Sequence, residues 1–165
     1  MQPRDATAAD FPRLLALNES VVQYLSPLDP GRLAWLHSLA AYHRVLEVDG
    51  EVAGFLLACR EGTDYDSPNY RWFAARYPRF LYIDRVVVAP GRQGGGLGRR
   101  LYEDLLRVAR QTAVDLVTCE YDLDPPNEAS RRFHAGFGFA EVGTQAVGPS
   151  GKRVSLQLLD CQRRP

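Results

Sequence analysis

The sequence predicts an α+β fold on a mixed central sheet, and three observations carry that reading. Helical and strand patterns follow one another as helix, helix, strand pair, strand–helix–strand, helix and hairpin. Asp49-Gly50, a strong hairpin signal, stands between two strand runs. An almost unbroken apolar strand, FLYIDRVVVA, leads through a proline and glycines into an amphipathic helix.

Taken in order, residues 10–19 and 30–41 carry apolar side chains at helical spacing, the second opening on Asp-Pro-Gly. Residues 44–48 and 52–58 form the antiparallel pair around Asp49-Gly50. Residues 80–89 read as a buried strand, and residues 97–111 as a helix with Leu97, Leu101, Leu105 and Val108 on one face. Residues 114–120 return as a strand, which makes a right-handed parallel crossover. A helix over 127–135 and strands over 139–147 and 153–159, joined by Gly-Pro-Ser-Gly-Lys, complete one domain over residues 1–165.

Composition narrows the function. Lys plus Arg equals Asp plus Glu at 20 each, which leaves no global positive field to hold nucleic acid. The three cysteines are far apart and contain no C-x-x-C pair, so no metal is expected and a reducing, cytoplasmic setting is. No apolar run approaches the length of a membrane span.

The glycines after the third main strand fit neither familiar phosphate motif. A dinucleotide fingerprint would need glycine where Arg99 or Leu101 stands, and a P-loop would need Lys then Ser or Thr where Arg99 and Arg100 follow Gly98. What remains is Gln93-x-x-Gly96-x-Gly98 between a strand and a helix. There, bare amides and the positive helix end suit a pyrophosphate, with Arg92, Arg99 and Arg100 at the rim.

Gln93, Gly96 and Gly98 match the acyl-CoA signature of the GCN5-related N-acetyltransferase (GNAT) superfamily. Asn127, Phe133-His134 and Gly138-Phe139 resemble that family's second signature, in the same order and distance. The resemblance implies the GNAT acyl-CoA N-acyltransferase fold, with helices on both faces of the sheet. It implies acetyl-CoA as cosubstrate, held by the backbone of Val86, Val87 and Val88 and by Gln93, Gly94, Gly95, Gly96, Leu97, Gly98 and Arg99. Contacts from Asn127, Ser130, Phe133 and His134 would complete the binding. Asn127 is equally a helix cap.

The implied reaction is attack of a primary amine, on a small molecule or a peptide, on the acetyl thioester. Such chemistry needs a base, stabilisation of the oxyanion and a proton for the leaving thiolate. The family's usual tyrosine acid is replaced by His134, whose imidazole has a reference pKa of about 6.5 against about 10 for phenol. Tyr102 and Tyr121 are other donors. Asp84 and Glu120, carboxylates in apolar strands, are the candidate bases, and Asp84 alternatively pairs with an arginine. Residues 61–80, rich in aromatics and acids, either receive a cationic amine or form a helical insertion packed on the core or on a second subunit. A homodimer is common in the family. The contrasting reading is an acyl-CoA binding module without turnover.

Overall fold

The computed structural model describes residues 1–163. Its sheet has seven strands in the order β1-β2-β3-β4-β5-β7-β6. The strands are β1 (Arg4–Asp5), β2 (Tyr42–Val48), β3 (Glu51–Arg60), β4 (Leu81–Val88), β5 (Leu116–Asp122), β6 (Ala140–Val147) and β7 (Lys152–Asp160). Five α-helices lie on its faces: α1 (Phe11–Glu19), α2 (Pro30–Leu39), α3 (Pro68–Ala74), α4 (Leu97–Gln111) and α5 (Glu128–Phe137). Pairing of β4 with β5 is parallel, whereas β1/β2, β2/β3, β5/β7 and β6/β7 are antiparallel. The mixed α+β sheet expected from the element order is therefore present.

The chain divides into two compact units. The first, residues 1–59 with 83–108, buries Leu14, Leu17, Leu33, Val45, Phe55 and Val87 in one cluster. Each such side chain contributes about 1.5–3 kcal/mol by leaving water. Asp49 and Gly50 take φ of 54° and 77°, the left-handed pair that the hairpin turn needs. Gly54 answers a different demand, because a Cβ there would stand 2.9 Å from the Val87 carbonyl oxygen, so β3 and β4 approach too closely for a side chain.

Local differences from the expected boundaries have physical causes. Helix α2 stops at Leu39 because Ala40 is extended and the Ala41 N–H already donates to Ala58 O. Strand β5 begins at Leu116, later than expected, because Ala113 turns through φ of 55°, and it continues to Asp122 because β7 pairs with it as far as Asp122↔Val154. Val108, expected on the buried stripe of α4, is half-buried, while Tyr102 and Leu106 join Leu101 and Leu105 inside. Strand β1 was not legible: its two residues are polar and exposed, and Arg4 holds them through Asp10 and Glu47 at 2.9 and 2.6 Å.

The second unit comprises residues 60–82 with 109–165, of which those to 163 are described. Here the insertion before β4 is a folded element. Helix α3 opens on Ser67, whose Oγ accepts from the Tyr70 N–H, with Pro68 in the first turn. Its rings pack against one another: Tyr70 lies 5.7 Å from both Phe80 and Tyr82, and Phe73 lies 6.0 Å from Tyr82. The Tyr70 hydroxyl donates to Arg60 O and accepts from the Thr63 N–H. Helix α5 ends where Gly138 takes φ of 95°.

Candidate active site

In the first unit, β4 alternates between buried Ile83, Arg85 and Val87 and half-buried Asp84, Val86 and Val88. Alternation of this kind sends successive side chains to opposite faces of the sheet. Past Val88 the chain enters an exposed loop in which Gly91, Gly94 and Gly96 adopt φ of 83°, 82° and 82°. Side chains rarely adopt that conformation, so the glycines are required by backbone geometry. Space above Gly94 and Gly96 is open, since a Cβ at either position would meet nothing within 4 Å. The loop delivers directly into α4, where Arg100 N–H makes the first intrahelical bond to Gly96 O. Amides in the first turn of a helix lack helical acceptors, so this end is suited to an anion. Gln93 is exposed at the rim, Leu97 is buried at the helix start, Gly98 is half-buried, and Arg99 and Arg92 form exposed ion pairs with Glu103 and Asp49. The bare, open cradle fits the pyrophosphate of an acyl-CoA.

Asp84 is held in an ion pair. Arg85 Nε stands 2.6 Å from Asp84 Oδ2, with both side chains at most 5% exposed. The same guanidinium donates to Asn18 Oδ1 at 2.9 Å and to Ser26 O and Oγ at 3.2 Å, tying residues 18–26 to β4. Of the alternatives for Asp84, the arginine pair is therefore the one observed. Arg85 itself was passed over in the sequence, although an Asp-Arg step inside an apolar strand is a signal for such a pair. Burial, assisted by the Asp84 charge, pushes the nearby Cys59 thiol up to about 12, far from a reactive thiolate.

In the second unit, β4 and β5 pair at Leu81↔Val117 and Tyr82↔Thr118, and Glu120 lies two residues further along β5. The Tyr82 hydroxyl donates to both Glu120 oxygens, at 2.9 and 2.8 Å. This contact was not foreseen; the only sequence signal was that Tyr82 shares a strand face with Asp84.

Helix α5 carries the other predicted residues. Asn127 Oδ1 accepts from the Ser130 N–H at 3.1 Å, so Asn127 does cap the helix. His134 Nδ1 is 2.7 Å from Ser130 O and 3.2 Å from Ser130 Oγ. Because a carbonyl oxygen can only accept, Nδ1 must carry the proton. Burial lowers the His134 pKa from its usual value, with the Ser130 bond opposing the shift. Phe133, Phe139 and Tyr121 pack around the imidazole, with ring centroids 5.4, 5.2 and 5.6 Å away. The Tyr121 oxygen accepts from Gln157 Nε2, which also donates to Ser155 Oγ, and Ser155 Oγ donates onward to Glu141. Tyr102, the remaining candidate donor, is buried within α4.

Among the described residues no cluster of His, Cys, Asp or Glu could hold a metal ion, and no helix is long and apolar enough to cross a membrane.

A glycine loop between a sheet strand and a helix in one unit, and a capped helix bearing Phe133-His134 in the other, on a mixed α+β sheet, are the features of an acyl-CoA-dependent acyltransferase. Residues 9–139 match the acetyltransferase (GNAT) family, and the chain belongs to that family, whose cosubstrate is acetyl-CoA. Over 59 residues it is 48% identical to a phosphinothricin N-acetyltransferase of Streptomyces coelicolor; that match covers 36% of this chain and spans about a third, 33%, of the relative. Among solved structures it is similar to a ribosomal-protein-alanine N-acetyltransferase of Brucella melitensis, with TM-score 0.73, 27% identity and 97% and 99% of the two chains covered. It also shares the fold of a Salmonella typhimurium acetyltransferase solved with its cofactor acetyl-CoA, with TM-score 0.72, 24% identity and 100% and 96% coverage.

Proposed function

We propose that this chain moves the acetyl group of acetyl-CoA to a primary amine by direct attack on the thioester. The observation that carries the reading is the glycine loop, an exposed run of amides with left-handed Gly94 and Gly96 feeding the N-terminus of α4. Gln93 to Arg99 are assigned to the pyrophosphate. The backbone of Val86, Val87 and Val88 is assigned to the amides of the pantetheine arm. Asn127, Ser130, Phe133 and His134 are assigned further cosubstrate contacts from α5. Acetyl-CoA supplies a thioester that a neutral amine attacks, with CoA thiol leaving.

Glu120 is assigned as the base, because both its oxygens accept from the Tyr82 phenol, whereas Asp84 is paired with a buried guanidinium. For the thiolate, Tyr121 is assigned as donor beside His134. Nδ1 of His134 is spent on Ser130, and burial lowers the ring's pKa, which disfavours the imidazolium that would donate from Nε2. The Tyr121 oxygen accepts from Gln157 and retains its own proton. Tyr121→Phe is expected to lower turnover by roughly 10²-fold, and His134→Phe by less. The reverse order would return the role to His134.

The relatives' names suggest two acceptor classes, an alanine of a ribosomal protein and phosphinothricin. One observation favours a second reading, an acyl-CoA binder without turnover: at the usual acid position stands a buried imidazole whose pKa is lowered by that burial.

Calorimetric titration with acetyl-CoA, with ATP as control, tests the cradle. Saturable acetyl-CoA binding without ATP binding is expected, and Gly96→Val should abolish it while circular dichroism stays native, because no valine accepts a φ of 82° there. Retained binding in Gly96→Val would move the site elsewhere. Release of CoA thiol only when an alanine peptide or phosphinothricin is present separates the enzyme from the binder.

A further inference from the structure

The insertion at residues 61–80 has a part in the chemistry although it packs as core. Its rings enclose Tyr82: Tyr65 lies 6.3 Å, Tyr70 5.7 Å and Phe73 6.0 Å from the Tyr82 ring, and Phe73 touches Phe80 on its other side. Tyr65, Tyr70, Phe73, Phe80 and Tyr82 are all at most 5% exposed. A ring boxed in this way has one hydroxyl direction, and that direction leads to Glu120, where the O–H bridges both carboxylate oxygens. Charge reinforces the aim. Within the insertion Glu61 is neutralised by Arg60 through two hydrogen bonds and also accepts from the Phe80 N–H, which together hold it down to about 2. The hydroxyl of Tyr70 is likewise committed, to Arg60 O and Thr63 N. Tyr82 and Glu120 are thus matched to each other by distance.

We infer that Tyr82 is the positioning residue of the Glu120 base, and that the aromatic insertion is the socket which fixes Tyr82. The inference rests on the assignment of Glu120 as base. A phenol suits the task better than a guanidinium: it donates to the ionised carboxylate and favours it without cancelling its charge. A carboxylate offers about four acceptor sites, so a donor that bridges its two oxygens does not exhaust it. The phenol also fixes the carboxylate plane, which sets the line along which an amine proton, or a water relaying it, is taken up.

The coupling is read without a substrate by following the Glu120 carboxyl carbon through a pH titration by carbon-13 NMR, with Glu120→Gln to identify its signal. In Tyr82→Phe, which keeps the ring and its packing, the midpoint is expected to move up by about one pH unit, the size of a lost hydrogen bond to a charged group. An unmoved midpoint in a Tyr82→Phe protein that retains native near-ultraviolet circular dichroism would overturn the inference. If that variant fails to fold, Phe73→Leu, which loosens the socket and leaves the hydroxyl, takes its place. It should shift the midpoint in the same direction by less, and an unmoved midpoint there is equally fatal. Turnover is scored separately: full activity in Glu120→Gln would remove the base assignment while leaving the measured coupling intact.

Discussion

Two strand carboxylates meet opposite surroundings. Asp84 is enclosed with Arg85, and the same arginine ties Asn18 and Ser26, so charge is cancelled and the group serves architecture. Glu120 meets a phenol, whose O–H donates to both carboxylate oxygens. Both look alike in sequence, an acid in an apolar strand, and the difference teaches that the partner decides the role. A cation makes a strut of a carboxylate, whereas a neutral donor keeps it reactive.

The largest expected effect falls on Glu120. Glu120→Gln should lower turnover, read as CoA thiol release, by roughly 10²–10⁴-fold with acetyl-CoA affinity unchanged. If Asp84→Asn caused that loss and Glu120→Gln did not, the two roles would be exchanged. For Asp84→Asn the expected loss is stability, about 3 kcal/mol in a denaturant titration, because Arg85 would be left buried without its counter-charge. A change below about 1 kcal/mol would mean that Asn18 and Ser26 suffice to satisfy the guanidinium.

Acidity limits the range in which the two carboxylates can be compared. Burial, with the His37 imidazole at 2.7 Å, holds His43 down to about 4. The unfolded chain, with His near 6.5, therefore binds a proton before the folded one as pH falls. Stability present above pH 6.5 is lost progressively toward pH 4, by about 3 kcal/mol. Asp10, held to about 2 by Arg4, and Glu61, held to about 2 by Arg60, begin to lose their contributions only as pH falls through their ordinary values of 3.8 and 4.5, so most of their share goes at still lower pH. Denaturant midpoints at pH 7 and pH 4.5 check the slope, and His43→Gln should flatten it.

The smallest effect concerns the socket. A Cβ on Gly143 would stand 2.5 Å from Trp72 Cζ2, and Trp72 is stacked under Arg76 at 3.8 Å and packed edge-on to Phe73. Gly143→Ala should cost about 1–3 kcal/mol, read from thermal melting. A neutral result would mean that Trp72 swings away without disturbing Phe73, which would loosen the argument that the insertion is rigid.

Much of the candidate cradle was legible because its causes are local. Left-handed φ at Gly94 and Gly96, the helix start at Leu97 and the Asn127 cap each depend on a residue and its close neighbours, although α5 runs on to Phe137, two residues past the expected end. Gly54 and Gly143 carried no such message, since what excludes a side chain there is Val87 or Trp72, distant in sequence. The insertion was open between a substrate pocket and a packed element, because aromatic composition fits both. The rings are spent on one another, and neither alternation nor spacing could have told that.

By itself, then, the sequence determined the order of the main elements other than β1 and α3, the glycine cradle and the family, since turn geometry, caps and hydrophobic period act over a few residues. Tertiary structure alone decided which acid is neutralised and which is steered. Tyr82 reaches Glu120 across 38 positions and Arg85 reaches Asn18 across 67. Strand register and core packing, which no local pattern encodes, bring those atoms within a hydrogen bond.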